Sequence, residues 1–161
     1  MVSTIHAPRV RIVCNELPTN TDVAQLVGRE TIQELYSFEL LVVIPGTTGV
    51  DPLEIIGSNA AILLETNVDQ GQRSEELRRI PGLIASCEDL LNDGDFRTYR
   101  LRLVPRLWKT TLVETLEVYQ DMSVPDIIKS KLEALHLVDG TDFEMRLDGT
   151  YPAREFVVQY K

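Results

Sequence analysis

The sequence predicts a mainly β protein of the α+β class, in which an antiparallel barrel is followed by the start of a second α+β module. Apolar and polar residues alternate over residues 96–104, which is the period of a strand with one wet face. The Asp93-Gly94 pair just before this stretch is a strong hairpin signal, so it joins two antiparallel strands. After residue 116 the pattern changes to that of a capped helix, which indicates a second module.

Six strands are expected in the first part of the chain, separated by glycine, proline and polar turn residues. Their ranges are 10–14, 23–27, 36–44, 61–66, 79–89 and 96–104. Asp51, Pro52 and Gly57 suit the cap, first turn and end of one or two helical turns. Gly82 interrupts one strand and Pro105 ends another, as happens where a sheet bends, so we expect a small closed or nearly closed barrel.

The second part combines a helix with further strands. Ser123 can cap a helix over residues 124–135, in which apolar residues share one face. Residues 143–147 alternate as a strand would, and Gly149 lies in a turn that leads into another strand within 151–160.

Two domains are therefore expected, a barrel over residues 1–115 and an α+β module over residues 116–161. The second stretch is close to the length below which a domain rarely buries a core of its own without disulfides or metals. We therefore expect this module to be incomplete, so that it needs a neighbour or further chain to become stable.

The composition is that of a folded protein, with 43% apolar and 25% charged residues. The formal net charge of −9 repels phosphate backbones, so no nucleic-acid partner is expected. Four arginines do cluster, but leucines alternate with them and neither stacking aromatics nor a glycine-rich loop accompanies them. They are Arg97, Arg100, Arg102 and Arg106. A solvated face is favoured over a phosphate site.

No signal peptide or membrane span is visible in the sequence. Residues 1–8 lack a long apolar stretch behind a basic start, and the apolar run at 40–44 is far shorter than the ~20 residues that a bilayer requires. Two cysteines, Cys14 and Cys87, cannot make a disulfide framework. We expect reduced thiols in a cytoplasmic context, and no membrane contact by these residues.

We expect no catalytic, cofactor-binding or metal-ligating residues here, no cofactor, and no enzyme activity. The only histidines, His6 and His136, have no second ligand at metal-site spacing. No nucleophile elbow accompanies the cysteines, so core packing is favoured over a catalytic thiol. The acid pairs at 75–76 and 88–89 are not interpreted as glycosidase carboxylates, because adjacent strand residues face opposite ways.

Six stretches together resemble the hub region of the VgrG spike proteins of type VI secretion systems, a family related to phage tail hubs. They are GRE at 28–30, LYSFEL at 35–40, RRIPGLI at 78–84, YRLRLVPRLW at 99–108, YQDMSVPDII at 119–128 and YPAREFVVQY at 151–160. Each is weak alone, since YRLRL is a strand pattern and SVPDII a capped helix. Their ordered combination over nearly the whole chain resembles the amino-terminal part of that family.

The resemblance implies a tail-tube-like β-barrel that opens the structural hub of a puncturing spike. It implies a homotrimer in the full-length protein, whose barrels form a ring that docks on the inner-tube protein, Hcp. Baseplate components and effectors are the other implied partners. The implied location is cytoplasmic before firing, and outside the cell or inside the target cell after contractile delivery. Trp108 and Tyr119 lie in the linking region, where packing is favoured over a partner contact.

Two alternatives stay open. The first is the baseplate hub of a contractile phage tail or a related injection particle, which would have nearly the same fold. The second is a fragment of a larger hydrolase or effector whose catalytic residues lie beyond Lys161, because some spike proteins carry an effector domain at their far end.

Overall fold

The computed structural model describes residues 9–46, 49–66, 75–92 and 94–160, which belong to two compact units, Met1–Pro105 and Arg106–Lys161. Unit 1 holds β1 (Arg9–Cys14), β2 (Asp22–Thr31), β3 (Glu34–Pro45), α1 (Pro52–Ile55), β4 (Asn59–Thr66), β5 (Glu75–Asn92) and β6 (Phe96–Val104). Unit 2 holds a 3-10 segment (Arg106–Leu112), β7 (Leu116–Met122), α2 (Val124–Ala134) and β8 (Arg154–Tyr160). The expected domain boundary before residue 116 stays a prediction.

The strands of unit 1 form one antiparallel sheet in the order β1-β4-β5-β6-β3-β2. The sheet is strongly curled, so that its edge strands β1 and β2 approach each other. Among the described strands no hydrogen-bonded ladder joins these two edges. The mainly β fold predicted from the sequence is confirmed, and the barrel takes the form of a half-barrel.

The curl depends on β5, which changes its pairing partner part-way along its length. Residues before Leu83 pair with β4, residues after it pair with β6, and Leu83 itself is opposite both Asn59 and Val104. Gly82 lies at this change of partner. A Cβ added there would be 2.3 Å from the backbone oxygen of Val104, so only glycine lets the two backbones approach this closely.

The core of unit 1 lies on the concave face of the sheet, and buried residues alternate with less buried ones along β3 and most of β6. On β3 the inward side chains are Phe38, Leu40, Val42 and Ile44, and on β6 they are Tyr99, Leu101 and Leu103. Ile62 of β4 and Ile84 of β5 complete the same cluster, and both are fully buried. Each such aliphatic side chain contributes about 1.5–3 kcal/mol relative to an exposed position, so this layer holds the sheet in its curl.

A short helix covers one end of the core. The Asp51 side chain accepts a hydrogen bond from the Leu53 amide at 2.9 Å, and Pro52 begins the helix, as the sequence predicted. Ile55 is fully buried. Gly57 then adopts a φ of +87° and donates its N–H to the Ile84 oxygen at 2.7 Å, which attaches the helix end to β5.

Gly28 and Phe38 face each other across the β2–β3 ladder. The Phe38 ring covers the glycine so closely that an added Cβ would be 2.0 Å from its Cδ1 atom. Phe38 is buried, and its ring lies 5.8 Å from that of Tyr36, measured between centroids. The tyrosine hydroxyl donates to the Pro81 oxygen on β5. This aromatic pair therefore ties β3 to the bend of β5.

In unit 2 the helix predicted over 124–135 is confirmed at Val124–Ala134. Ser123 caps it by accepting from the Asp126 amide at 3.3 Å. At the other end His136 has a φ of +59°, and the Leu137 amide donates to the Leu132 oxygen at 3.1 Å, which is a Schellman closure. Leu137 is buried beside this closure.

The strand predicted over residues 143–147 is wrong, since these residues form no strand and Phe143 makes only an isolated bridge to Asp139. The turn expected at Gly149 is present as a bend at Asp148 and Gly149. Arg154–Tyr160 does form a strand, β8, but it pairs with β7, with Val118 opposite Val158. The alternation therefore predicted β8 correctly, but it did not indicate that the partner strand, β7, is distant in sequence.

We predict that Gly82→Ala destabilises unit 1 by about 1–3 kcal/mol, the usual cost of overpacking, because the new Cβ meets a backbone oxygen that cannot rotate away. Gly149→Ala is the matched control, since nothing lies within 4 Å of its added Cβ. Urea unfolding followed by circular dichroism measures both. Equal midpoints for the two variants would contradict the role given to the bend.

Candidate interaction surfaces

The outer face of the unit 1 sheet carries paired charges. On this face Arg100 donates to Glu88 at 2.8 Å across the β5–β6 ladder, whereas Arg97 donates to Asp89 at 3.3 Å on the opposite face, which carries Tyr99. All four side chains are at least partly exposed, so these pairs contribute little to stability. Glu88 and Asp89, the acids considered as carboxylate candidates, are thus each bonded to an arginine.

Of the other two arginines of the sequence cluster, Arg102 belongs to the same β5–β6 ladder, opposite Ser86, and Arg106 belongs to unit 2. Arg102 is half-buried on β6, and Arg106, the first residue of unit 2, bonds to the nearly buried carboxylate of Asp142. Asp142 also accepts from the Val138 amide at 2.8 Å. Arg106 therefore holds the loop after α2 in place. The structure accordingly divides the cluster between the two faces of β6 and a loop contact in unit 2.

An open groove of about 310 Å³ runs along the outer face near the β2 edge. Gln25 and Val27 of β2, Glu39 and Leu41 of β3, and Arg100 of β6 line it. The lining mixes both charges with aliphatic surface and holds none of the cysteines or histidines. Such a groove suits a protein contact better than a reaction, because no nucleophile or proton-transfer pair converges on it.

Both thiols lie in unit 1 and are half-buried. Cys14 donates to the Glu16 carboxylate at 3.1 Å and lies 3.2 Å from the Ser58 hydroxyl; burial raises its pKa. Burial, with the carboxylates of Asp89 and Asp51, raises the pKa of Cys87 to about 11. A thiol with so high a pKa is a poor nucleophile at neutral pH.

No histidine lies among the described residues of unit 1, which holds both thiols. His6 lies outside the described residues, and His136 is exposed at the end of α2 in unit 2. The described residues also contain no group of three or more His, Cys, Asp or Glu side chains placed to hold a metal ion. The expectation that no residue here is catalytic or binds a cofactor stays a prediction.

Tyr119 connects β7 to α2. Its hydroxyl donates to Glu117 at 2.6 Å, and Lys131 of α2 pairs with the same carboxylate at 2.7 Å. Lys131 also lies 5.7 Å from the centroid of the Tyr119 ring. Lys131 and the tyrosine hydroxyl, both hydrogen-bonded to Glu117, lower the pKa of that carboxyl group. Tyr119 thus packs within unit 2, and Trp108 of the 3-10 segment is half-buried.

One surface was not predicted from the sequence, namely the side of the β7–β8 ribbon that faces away from Tyr119. Its residues are apolar and exposed, namely Leu116, Val118, Phe156, Val158 and Tyr160. The signal was present, because these residues alternate with Glu117 and Gln159. We call this set the ribbon face.

Comparison with known proteins identifies the fold. Residues 29–161 match the phage tail baseplate hub (GPD) family, which is most of the chain. The chain belongs to this family. A solved structure of the E. coli c3393 protein resembles this chain with a TM-score of 0.75 at 25% identity, covering 93% of this chain and 39% of that one. That protein is described as a component of the type VI secretion system with structural similarity to the T4 bacteriophage tail proteins gp27 and gp5.

Curated relatives of this hub chain are spike proteins. The type VI secretion system spike proteins VgrG1b and VgrG1c of Pseudomonas aeruginosa PAO1 are each 31% identical to it, over 160 and 161 residues. These matches cover 96% and 98% of this chain but 20% and 21% of the relatives, so the chain spans about a fifth of their length. The resemblance to the VgrG family predicted from the sequence is confirmed.

The family assignment associates the chain with a secretion or injection apparatus. Neither helix in the described ranges combines the length and apolarity needed to cross a bilayer.

We predict that iodoacetamide modifies Cys87 about 100-fold more slowly than a thiol of pKa 9.0 at the same neutral pH, since its pKa of about 11 lowers the thiolate fraction by two powers of ten. The rate should rise with pH until the pH passes about 11. The labelling rate is measured by mass spectrometry on the Cys14→Ser variant, in which Cys87 is the one remaining thiol. The same variant in urea is the control, and fast labelling of the folded protein would contradict the prediction.

Proposed function

We propose that this chain is a structural hub module of a type VI secretion spike, which assembles as a homotrimer and docks on the inner tube formed by Hcp. Through this assembly the spike would carry effectors into target cells on contraction. The likeness to a type VI secretion component over 93% of the chain is the observation that carries the proposal. The spike proteins among the curated relatives support the same role.

The surfaces favour assembly by contact. The outer face of the sheet offers paired charges and an open groove, and the two sheet edges β1 and β2 are not joined by a ladder within the described strands. Ring-forming proteins need broad, complementary surfaces of this kind rather than a deep cleft. The groove and edges are candidates for the contact with the tube.

A role without catalysis is part of the proposal. The raised pKa of the Cys87 thiol disfavours nucleophilic chemistry there. The carboxylates of Glu88 and Asp89 are bonded to arginines, which disfavours acid–base chemistry by these two residues. Any hydrolytic activity of the whole protein would then belong to residues other than these 161.

A hub of a contractile phage tail is the second candidate. It is favoured by the family description, which is that of a phage tail baseplate hub, and by the similarity of the c3393 protein to T4 tail proteins. The location of the protein in assembled particles separates the two candidates, because the fold is common to both.

The first test is release of the inner-tube protein. Deleting the gene from its host should abolish release of Hcp into the medium, as in a strain without the contractile sheath, and a plasmid copy should restore it. Hcp released at the parental level would contradict the spike assignment. Recovery of the protein in purified phage particles, with no effect on Hcp, would favour the tail hub.

The second test is the oligomeric state. We predict that residues 1–161 alone are monomeric or weakly associating, while the complete reading frame forms a stable trimer, because the chain spans about a fifth of the length of its spike relatives and the rest of such a protein can supply contacts between copies. Light scattering on both proteins measures this. A complete protein that stays monomeric would weigh heavily against a hub.

A further inference from the structure

The tripeptide Asp-Gly-Thr occurs twice in unit 2, at residues 139–141 and 148–150. An aspartate followed by glycine is among the most reactive aspartyl linkages, because glycine has no side chain to keep its nitrogen away from the preceding carboxyl carbon. Both tripeptides follow an apolar residue, Val138 in the first case and Leu147 in the second. The two copies therefore differ in structure and hardly in sequence. A third Asp-Gly pair, at 93–94, lies partly outside the described residues.

The first tripeptide lies in a closed turn after α2. The Gly140 N–H donates to the Phe143 oxygen at 2.8 Å, and Asp139 and Phe143 also form an isolated backbone bridge. Lys129 of α2 donates to the Asp139 carboxylate at 2.8 Å. The nitrogen that would have to attack and the carboxylate that would be attacked are thus both hydrogen-bonded elsewhere.

The second tripeptide lies in an exposed bend outside the helices and strands of unit 2. Within the described part of the chain, no hydrogen bond or ion pair holds the Gly149 N–H or the Asp148 carboxylate. Gly149 also has open space around it, since nothing lies within 4 Å of an added Cβ. The main chain here can therefore rotate, without breaking such a bond, until the Gly149 nitrogen reaches the side-chain carbon of Asp148.

The reaction that follows from this approach needs neither an enzyme nor a cofactor. The Gly149 nitrogen forms a bond to Cγ of the protonated Asp148 carboxyl group, and the bond from Cγ to the hydroxyl oxygen breaks. The hydroxyl leaves with the proton of the nitrogen as one water, which gives a cyclic succinimide. A water then adds to either ring carbonyl. Opening at Cγ restores aspartate, and opening at the main-chain carbonyl of Asp148 gives isoaspartate.

We propose that the Asp148-Gly149 pair is a self-modification site, at which isoaspartate forms in the folded protein while the Asp139-Gly140 pair is protected. In the product the main chain runs through the former side chain of residue 148, so it gains one carbon between the loop after α2 and β8. The product also has a free α-carboxylate, which is the group that isoaspartyl methyltransferases methylate with S-adenosylmethionine. The proposal does not depend on the tube, effectors or trimerisation, so it holds or fails separately from the function proposed above.

The first experiment compares the two tripeptides in one chain. The protein is incubated at neutral pH, folded or in urea, and electron-transfer fragmentation of its peptides distinguishes isoaspartate from aspartate. In the folded protein isoaspartate should accumulate at least about tenfold faster at position 148 than at position 139, since reaction at Asp139 first requires two hydrogen bonds to open. In urea the two rates should become similar, because the tripeptides are identical.

Two results of this experiment would overturn the proposal. One is an equal or faster rate at position 139 in the folded protein. The other is the same ratio of rates in urea as in the folded protein, because the local sequence and not the structure would then decide where isoaspartate forms.

Matched substitutions test the site with a second readout. Asp148→Glu keeps the charge but lengthens the side chain, so the succinimide can no longer form at that position. After incubation, an isoaspartyl methyltransferase with S-adenosylmethionine should label the tryptic peptide of residues 147–154, and Asp148→Glu should abolish this label. Asp139→Glu is the control and should leave the label at the level of the unmodified sequence. A peptide that stays unlabelled in the unmodified sequence, or equal loss of label in both variants, contradicts the proposal.

Discussion

The close approach of two backbones at Gly82 is the constraint on which unit 1 depends. Because β5 passes its pairing from β4 to β6 there, the sheet turns a corner and its concave side becomes a closed apolar layer. The buried residues of β3 and β6 can meet Ile62 of β4 only around that corner. A side chain at position 82 would separate β5 from the Val104 oxygen, and the corner would open.

Sequence reasoning succeeded where the determining signals are local. The turn before β6, the Asp51 cap and the Ser123 cap each act over a few residues, so their chemistry could be recognised without knowing the fold. The bend at Gly82 was recognisable for a similar reason, since a glycine within an alternating strand has few other uses. These signals account for the antiparallel sheet and for the boundaries of α2.

Sequence reasoning failed where a strand needs a distant partner. Residues 143–147 alternate as well as β8 does, yet only β8 has β7 to pair with. Alternation tells which side chains share a face, and it does not tell whether another backbone is present to complete the ladder. The same limit explains the ribbon face: the pattern of Leu116 and Val118 was visible, but the exposure of that face became evident only from the neighbours that surround it.

The charged residues show a related distinction between composition and arrangement. The four clustered arginines are close in sequence, but carboxylates on β5 and in the loop after α2 bind three of them separately. The number of arginines in this stretch therefore overestimates the positive electrostatic potential of any one surface. Both cysteines are half-buried and burial raises the pKa of each thiol, while the expectation that they serve packing rather than catalysis stays a prediction.

The contact between Gly28 and Phe38 has an evolutionary consequence. The ring occupies the volume that a side chain at position 28 would need, so the glycine is required only while the ring is present. Replacement of Phe38 by a small residue would leave a void beside β2, which a larger residue at position 28 could fill. The two positions should therefore covary among homologues. Those with a small residue at position 38 should have a larger residue at position 28.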